Sequence, residues 1–493
     1  MPETETATAS GGVALEELPL LDRIIVQGRM ARDDMQRDYA RDLIGEFAQQ
    51  VLDEAMTVSS DTVAMINARI ARIDELLSKQ LNEIMHAPEF QKLEATWRGL
   101  NYLVMNTETG TQLKLRVVHA TQKELLTDLE KAVEFDQSSL FKMIYEEEYG
   151  TFGGHPYSLL LGDYEFGRHP QDVALLEKIS SVAAAAHAPF VAAASPRLFD
   201  MDHFTDLGVP RDLAKIFESA ELAKWRSFRE SEDSRYVALC LPHILMRLPY
   251  GPNTVPVEGF NFEEDVTGKD HTRYLWGNAA WAMGLRITTA FAQHSWCAAI
   301  RGVEGGGMVQ GLPAHTFRTD EGDVALKCPT EIAITDRREK ELNDLGFIAL
   351  CHCKGTDYAA FFGGATTQKF KAYGTDQANA NARLSAQLPY VLAASRFAHF
   401  LKVIMRDKVG SFQTRASVEQ FLNKWIAQYV LLNDDAPQSA KAKFPLREAR
   451  VDVTEVAGKP GVFNATVFLR PHFQLEELTA SIRLVAELPP PAA

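Results

Sequence analysis

Cysteine is scarce in this sequence, and its scarcity limits the covalent and metal structure that the chain can build. Five cysteines occur among 493 residues, an odd number without the spacing of a disulfide framework or of a paired Cys-x-x-Cys site. A reducing compartment is therefore expected. Cys351, His352 and Cys353 are consecutive, but consecutive residues of a strand point to opposite faces and do not converge on one ion. We interpret them as part of a buried strand and predict no metal site.

Positive charge is also in short supply. The chain contains 51 lysines and arginines against 66 aspartates and glutamates, which gives a formal net charge of -15. Binding to nucleic acid depends on clustered basic side chains that displace counterions from the phosphates. Because the sequence contains no such cluster, we expect no nucleic-acid partner.

A signal peptide and a membrane span are missing from the pattern as well. Four glutamates precede the first basic residue, Arg23, which is opposite to the basic-then-apolar order of a signal peptide. The most apolar long stretch, residues 276–300, is interrupted by Arg286, Gln293 and His294, which are costly in lipid. We predict a buried core helix there, no membrane insertion and a cytoplasmic location.

Common catalytic motifs do not occur either. The chain has no His-Glu-x-x-His and no Gly-x-Ser-x-Gly, and its thirteen histidines are scattered. Asp163 and Glu165, predicted just past a strand, and the glycine-rich residues 302–311 leave one alternative, an α/β enzyme with these groups around a pocket. The glycine-rich run lacks the Gly-Lys-Ser/Thr ending of a phosphate loop, and we interpret it as a loop with unusual backbone angles. We expect no catalytic residue and no cofactor.

The first 110 residues are predicted to form a flexible arm followed by a helical region. Residues 1–22 are small, polar and acidic without a hydrophobic period, which is typical of an arm. Residues 33–55 have an apolar residue at every fourth position, which predicts an amphipathic helix. A second helix follows a cap at Ser60 or Asp61, and Pro88 begins a third. The second helix has an apolar stripe that needs a partner, within the chain or in another subunit, formed by Val63, Ile66, Ile70, Ile73 and Leu77.

Between residues 111 and 375 strands and helices alternate, which predicts a central α/β body with a mixed sheet. The second predicted strand, the second helix and the third strand form a βαβ unit, whose strands are parallel. Asp336 and Glu339 predict a capping box at the start of a further helix. The strands are predicted at residues 112–119, 157–161, 190–194, 236–241, 331–335 and 347–351, and the first two helices at residues 121–133 and 170–186.

Residues 376–493 are predicted to form a C-terminal module of helices and a small sheet. One helix, residues 376–407, is predicted to kink or restart at Pro389, and another spans residues 417–432. Two runs of alternating apolar residues predict a hairpin, and a third run follows close to the chain end. A terminal strand leaves an unpaired edge, to which a strand of another chain can add. The predicted residues for this addition are Val451, Val453, Val467, Leu469, Ile482, Leu484 and Ala486.

Short blocks along the chain resemble one protein family. They are Thr-Trp-Arg-Gly-Leu at residues 96–100, Asp-Ser-Arg-Tyr-Val-Ala-Leu at 233–239, Arg-Leu-Pro-Tyr-Gly at 247–251, Leu-Trp-Gly-Asn-Ala-Ala-Trp at 275–281, Lys-Cys-Pro-Thr-Glu-Ile at 327–332 and Phe-Leu-Arg-Pro-His-Phe-Gln-Leu-Glu at 468–476. In content and order they resemble the large subunit of the type VI secretion contractile sheath, the TssC/VipB family.

The resemblance implies a mechanical role for a multi-domain α/β protein whose C-terminal α+β module is like that of contractile tail sheaths. It implies pairing with a small sheath subunit of the TssB/VipA type, for which the helical stripe is a candidate contact, and helical self-association. Further implied partners are an Hcp-type inner tube, a baseplate and a ClpV-type AAA+ ATPase that recycles the sheath mainly through the small subunit. A sheath protein of a phage tail or of an extracellular injection particle is the closest alternative.

Overall fold

The structure is a computed structural model that describes residues 19–27, 29–52, 62–268, 270–319, 321–411, 414–458 and 461–474. The helices are α1 (Leu20–Gln27), α2 (Asp34–Leu52), α3 (Thr62–Met85), α4 (Pro88–Asn106), α5 (Gln122–Lys131), α6 (Ser139–Phe141), α7 (Pro170–Ala186), α8 (Leu213–Phe217), α9 (Ala223–Glu230), α10 (Ala280–His294), α11 (Asp336–Asp344), α12 (Asp376–Ser385), α13 (Leu388–Lys408), α14 (Arg415–Ile426) and α15 (Gln438–Lys443). The strands are β1 (Leu160–Phe166), β2 (Phe190–Ala194), β3 (Val237–Leu241), β4 (Ile244–Leu245), β5 (Trp276–Gly277), β6 (Met308–Val309), β7 (Thr316–Arg318), β8 (Val324–Leu326), β9 (Phe347–His352), β10 (Ala359–Phe361), β11 (Leu446–Glu455) and β12 (Phe463–Pro471).

The chain divides into two compact units. In the first, α1 packs on α2, where Arg41 donates to the buried Asp22 at 2.6 Å, and Asn261 donates to Asp74 of α3 at 3.3 Å. The second holds the large sheet and the C-terminal module. Unit 1 is Met1–Leu81 with Pro256–Glu263, and unit 2 is Asn82–Val255 with Glu264–Ala493.

A six-stranded mixed sheet forms the centre of unit 2, in the order β1-β2-β3-β9-β10-β6. The first four strands are parallel, and β10 pairs antiparallel with both β9 and β6. The helix α7 connects β1 to β2, which confirms the predicted βαβ unit. The fold is α/β, as the alternation of strands and helices predicted.

Both faces of this sheet are buried, because successive side chains of its strands enter two different cores. Leu239 of β3 and Phe347 of β9 pack with α7 and α9 on one face. Cys240 and Ile348 point the other way, toward α10 and the start of α13. Continuous apolar strands without polar alternation are the expected sequence signature of such a sheet.

The C-terminal module packs its hairpin against helices. Val451 and Val453 of β11 are fully buried beside Phe397 of α13 and Leu422 of α14. The predicted restart at Pro389 is confirmed, because α12 ends at Ser385 and α13 begins at Leu388 with the proline in its first turn.

Several predicted elements have the bounds that the sequence indicated. The helix α7 and the strand β2 match their predicted ranges, and Pro88 begins α4 as expected. Thr121 caps α5 in a reciprocal capping box with Glu124. These elements carry strong local signals, namely a proline, a cap residue or an unbroken apolar run.

Two predicted strands are wrong. Residues 112–119 have no regular secondary structure and pair with no described strand, and Val117 and Val118 are exposed. Alternating apolar residues indicate one-sided burial, whereas a strand also requires a neighbouring backbone. Residues 331–335 are also not a strand, because the chain makes a single bridge, between Thr330 and Ile244, before it enters α11.

Two local predictions are corrected as well. The strand β1 begins three residues later than predicted and runs to Phe166, so Asp163 and Glu165 lie within it rather than past its end. The predicted capping box at Asp336 and Glu339 is wrong, because Thr335 is the N-cap and its side chain makes no capping hydrogen bond. The acidic residues instead occupy the first turn, where their negative charges interact favourably with the positive end of the helix dipole.

Among the described residues, one helix is long and apolar enough to cross a membrane by length and composition, α13. More than half of its most apolar window is buried inside the protein, as in the core helix of a globular domain. The stretch that the sequence marked as most membrane-like forms α10, which is buried against the sheet as predicted.

Candidate assembly surfaces

In the hairpin of β11 and β12, successive backbone groups point alternately toward the partner strand and away from it. Val451 lies opposite Val467, and Val453 lies opposite Ala465. The N–H of Val451 donates to Asn423 Oδ1 at 3.0 Å, and its carbonyl accepts from Asn423 Nδ2 at 2.7 Å. These groups therefore point away from β12. In an antiparallel pair, the N–H and C=O of two directly opposite residues point either both toward each other or both away. The backbone groups of Val467 and Ala465 therefore point to the outer side of β12.

The outer edge of β11 is closed by helix α14. The side-chain amide of Asn423 bonds both backbone groups of Val451, and Glu419 accepts from the N–H of Val453 at 3.4 Å. Polar groups that occupy an edge prevent the addition of another strand. A strand can therefore not add to the hairpin on the β11 side.

The outer edge of β12 is open within the described part of the chain, where this strand pairs with β11 alone. The alternating apolar residues predicted the hairpin but not this difference between its two edges. The sequence signal for the closed edge was Asn423, a polar residue in the middle of a helix beside the buried Leu422 and Ile426.

The side chains predicted for strand addition serve the fold of their own chain. Val451 and Val453 are buried in the core of the module, and Val467 and Leu469 pack partly against it. Of these four residues, only Val467 and Leu469 lie on β12, so what remains available to another chain is the backbone of that strand and not the apolar side chains. The other three predicted residues, Ile482, Leu484 and Ala486, lie outside the described residues.

The predicted apolar stripe of α3 is exposed in the structure. Its five residues, Val63, Ile66, Ile70, Ile73 and Leu77, have exposed fractions between 43% and 67%. They lie on one side of a 24-residue helix, with the three- and four-residue spacing of a helix-packing face. Their role as a contact for the small subunit stays a prediction.

A large cavity lies beside the end strand of the six-stranded sheet. Its volume is about 1380 Å³, and its walls include α4, residues 111–120, β1 and α10. Leu93, Trp97 and Val104 of α4 line it and are 55%, 64% and 40% exposed. The block around Trp97 was recognisable in the sequence as a family feature, whereas the apolar face that Trp97 shares with its helical neighbours was not predicted.

Residues of two family blocks hold α4 in place through buried ion pairs. Arg98 donates to Glu94 at 2.7 Å and to the hydroxyl of Tyr250 at 2.9 Å. Arg247, which is almost fully buried, bonds Glu264 at 2.6 and 3.1 Å and Glu94 at 2.8 Å. Because both carboxylates accept from this guanidinium, none of the three charges is buried without compensation.

Asp163 also connects α4 to the sheet. Its two carboxylate oxygens accept from Trp281 Nε1 at 3.1 Å and from Thr96 Oγ at 2.6 Å. Through these two hydrogen bonds, Asp163 of β1 links α4 and α10. Gly99 lies at the same contact, where a Cβ would overlap the indole ring of Trp281.

Glu165 belongs to a separate cluster, in which it contacts His243 Nε2 at 2.9 Å. The other ring nitrogen of His243 contacts Glu331 at 2.5 Å. Burial lowers the pKa of His243, but the two carboxylates outweigh it and raise the pKa to about 10. Burial likewise raises the pKa of Glu165, and the charge of His243 lowers it below the usual value. The histidine is therefore a cation held between two carboxylates at neutral pH.

The glycine-rich residues 302–311 do not meet these carboxylates. Gly302, Gly306 and Gly311 have positive φ, as predicted, and the loop leads into β6 at one end of the sheet, whereas β1 is at the other end. Six strands at about 4.8 Å spacing separate the two ends by roughly 24 Å. The pocket of the enzyme alternative is therefore not assembled.

Comparison with solved structures finds sheath and baseplate assemblies of contractile injection systems. The anti-feeding prophage helical sheath in its contracted state matches with a TM-score of 0.32 and 11% identity, over 63% of this chain and 66% of that chain. The contracted PVC sheath of an extracellular contractile injection system matches with a TM-score of 0.34 and 9% identity, over 63% and 68%. The chain thus spans about two thirds of the length of these proteins.

Comparison of sequences gives a much stronger match. The chain is 48% identical over 487 residues to the type VI secretion system sheath protein TssC1 of Pseudomonas aeruginosa PAO1, covering 98% of this chain and 97% of that protein. Residues 67–368 match the EvpB/VC_A0108 tail sheath N-terminal domain, and residues 377–488 match the EvpB/VC_A0108 tail sheath gpW/gp25-like domain. The resemblance noted in the sequence is confirmed, and the chain belongs to the EvpB/VC_A0108 (VipB) family of tail sheath proteins.

Proposed function

We propose that this chain is the large subunit of a cytoplasmic type VI secretion sheath, which pairs with a small subunit, polymerises around an inner tube and contracts. Family membership over nearly the whole chain supports this role. The observation that carries the polymerisation is the hairpin, with α14 closing one edge and β12 leaving the other open. A strand from a neighbouring subunit adds to the outer edge of β12.

Strand addition suits a structure that must move without coming apart. An added strand is held by a row of backbone hydrogen bonds, and a flexible connection lets its parent subunit rotate while these bonds persist. Helix α1 begins at Leu20 and Asp22 is buried, so the predicted arm, residues 1–22, overlaps this helix by three residues. We propose as donors the part of the arm that precedes α1 and the C-terminal residues 482–488 of a neighbouring chain. Contraction then releases energy stored at assembly, and this chain needs no nucleotide.

We also propose that the small subunit covers the cavity beside β1. The end strand β1 and residues 111–120, which pair with no described strand, line the cavity together with three exposed apolar residues of α4. A partner with apolar strands would pair with β1 and cover Leu93, Trp97 and Val104. The exposed stripe of α3 is a second candidate contact with the same subunit.

The role proposed here is structural rather than enzymatic. Asp163 and Glu165 are each engaged by other side chains of the fold, and the glycine-rich loop lies at the far end of the sheet. We propose the inner tube, the baseplate and the recycling AAA+ ATPase as further partners, with the ATPase acting mainly on the small subunit. The proposed domains are residues 1–22, 23–110, 111–375 and 376–493.

Proline substitution in β12 tests the strand addition. Ala465→Pro removes an N–H that points to the outer edge, whereas Thr466→Pro removes one that bonds within the hairpin. We expect Ala465→Pro to fold and to capture a co-expressed small subunit but to form no tubules in negative-stain electron microscopy. Thr466→Pro should unfold the hairpin and lower the melting temperature.

The two variants together make the result interpretable. Normal tubules from Ala465→Pro would show that the outer edge of β12 is not used in the polymer. Loss of the folded state in Ala465→Pro would show that the edge is completed within the chain, as part of folding, and would also contradict the proposal.

A further inference from the structure

Three side chains outside the assembly surfaces converge from separate segments of unit 2. His203 precedes a turn of 3-10 helix, His271 begins another such turn, and Glu331 lies between β8 and α11. One possible ligand atom from each residue lies within 4.8 Å of the other two. The rings of His203 and His271 are nearly perpendicular, with their centroids 4.3 Å apart. Because the three residues are far apart in sequence, no local motif indicated this cluster.

Glu331 is fixed in position before any ligand arrives. Its side chain is almost completely buried, its Oε1 accepts from the N–H of Phe204 at 3.0 Å, and its Oε2 contacts His243 at 2.5 Å. A carboxylate oxygen has two lone pairs, so each of these oxygens retains acceptor capacity. Hydrogen bonds that orient a ligating carboxylate from behind are a regular feature of metal sites.

His271 presents a nitrogen with no assigned bond. Its Nε2 is buried and has no hydrogen-bond partner among the described residues. A buried polar atom left without a partner destabilises the fold, and a metal ion bound at this nitrogen would satisfy it.

We propose that His203, His271 and Glu331 bind a zinc ion. Two imidazole nitrogens and a carboxylate oxygen are typical zinc ligands, and a water molecule completes the tetrahedron. Bonds of roughly 2.0–2.1 Å place tetrahedral ligand atoms about 3.4 Å apart, so separations of up to 4.8 Å must shorten by up to about 1.4 Å. His203 is exposed and is the ligand that moves. The bound ion would cross-link three segments that are far apart in the sequence.

Zinc content is the first measurement. The full-length chain, purified with a co-expressed small subunit, is stripped with a chelator, given one equivalent of zinc chloride, dialysed and analysed for bound zinc and melting temperature. We expect about one zinc per chain and a higher melting temperature. His203→Ala and His271→Ala should each weaken zinc binding by roughly tenfold or more, whereas the exposed His119→Ala should retain it.

Cobalt substitution gives a readout that does not depend on stability. A tetrahedral Co²⁺ ion in the site should produce strong visible absorption, and this absorption should be absent in His203→Ala. Because the side chain of His203 is exposed, its removal leaves the buried contacts of Glu331 intact. Failure of the wild-type protein to bind zinc at one equivalent would overturn the proposal. Unchanged zinc content in both histidine variants would overturn it as well, because the ion would then be bound elsewhere.

Discussion

At the scale of single residues, Gly99 shows how a family block can serve packing rather than chemistry. A Cβ at this position would overlap the Trp281 indole, whose N–H donates to Asp163. We therefore expect Gly99→Ala to lower the free energy of unfolding by about 1–3 kcal/mol, the usual cost of overpacking. Gly45→Ala is the matched control, since a Cβ there meets nothing within 4 Å. Equal stability of the two variants in urea would contradict this account.

His399 is a second residue whose environment has a measurable consequence. Its Nε2 donates to the carbonyl of Ala186 at 2.8 Å, while its Nδ1 is buried without a partner among the described residues. Burial lowers its pKa to about 4, although the hydrogen bond to Ala186 acts in the opposite direction. Arg396 and Lys402 on the same helix and His187 on the neighbouring one lower the pKa further.

The sign of the resulting pH dependence follows from where the proton binds. The unfolded histidine has a pKa of about 6.5, so between pH 6.5 and 4 protonation favours the unfolded chain. We expect about 2 kcal/mol of stability to be lost from this residue between pH 7.5 and pH 5. His399→Gln retains an amide donor toward Ala186 and should flatten the curve in this window, whereas His119→Gln should not. Parallel curves for wild type and His399→Gln would refute the assignment.

At the scale of elements, the edge of β11 depends on one side chain of α14. Asn423→Ala removes both hydrogen bonds to the backbone of Val451. Because the freed backbone groups lie at a half-buried edge, we expect a loss of about 1–3 kcal/mol in the free energy of unfolding. The exposed neighbour Lys424→Ala should change stability by less than about 0.5 kcal/mol. Urea denaturation of both variants decides the matter, and a neutral Asn423→Ala would mean that the edge is protected by something else.

At the scale of the whole molecule, the two candidate contacts with a small subunit can be compared directly. A glutamate at Trp97 would place a charge on the apolar wall of the cavity, and one at Ile70 would place it on the stripe of α3. Covering a large apolar side chain contributes about 1.5–3 kcal/mol, so either change should weaken capture of the partner by roughly ten- to hundredfold if that surface is covered.

Pull-down of the co-expressed small subunit measures both variants against a common control. Val133→Glu is suitable, because Val133 is 86% exposed and belongs to neither surface. We expect Trp97→Glu to lose the partner and Val133→Glu to retain it. Full capture by Trp97→Glu would show that the cavity is not covered by the small subunit.

The sequence by itself determined the local elements and the family. Helix α7, strand β2, the restart at Pro389 and the hairpin all depend on signals within a few residues, namely caps, prolines and period-two or near-four apolar spacing. The blocks of the family were also readable, because each is a short contiguous string. The α/β class followed from the order of these elements.

Only the tertiary structure decided which parts of the chain meet. Residues 112–119 have a strand pattern but no neighbour, and Asp163 and Glu165 are two residues apart yet bond to different partners. Whether a hairpin edge is open depends on a helix some thirty residues earlier, and the cluster of His203, His271 and Glu331 spans well over a hundred residues. Periodicity reports the face of an element that is buried, whereas pairing and convergence depend on long-range contacts that local sequence does not encode.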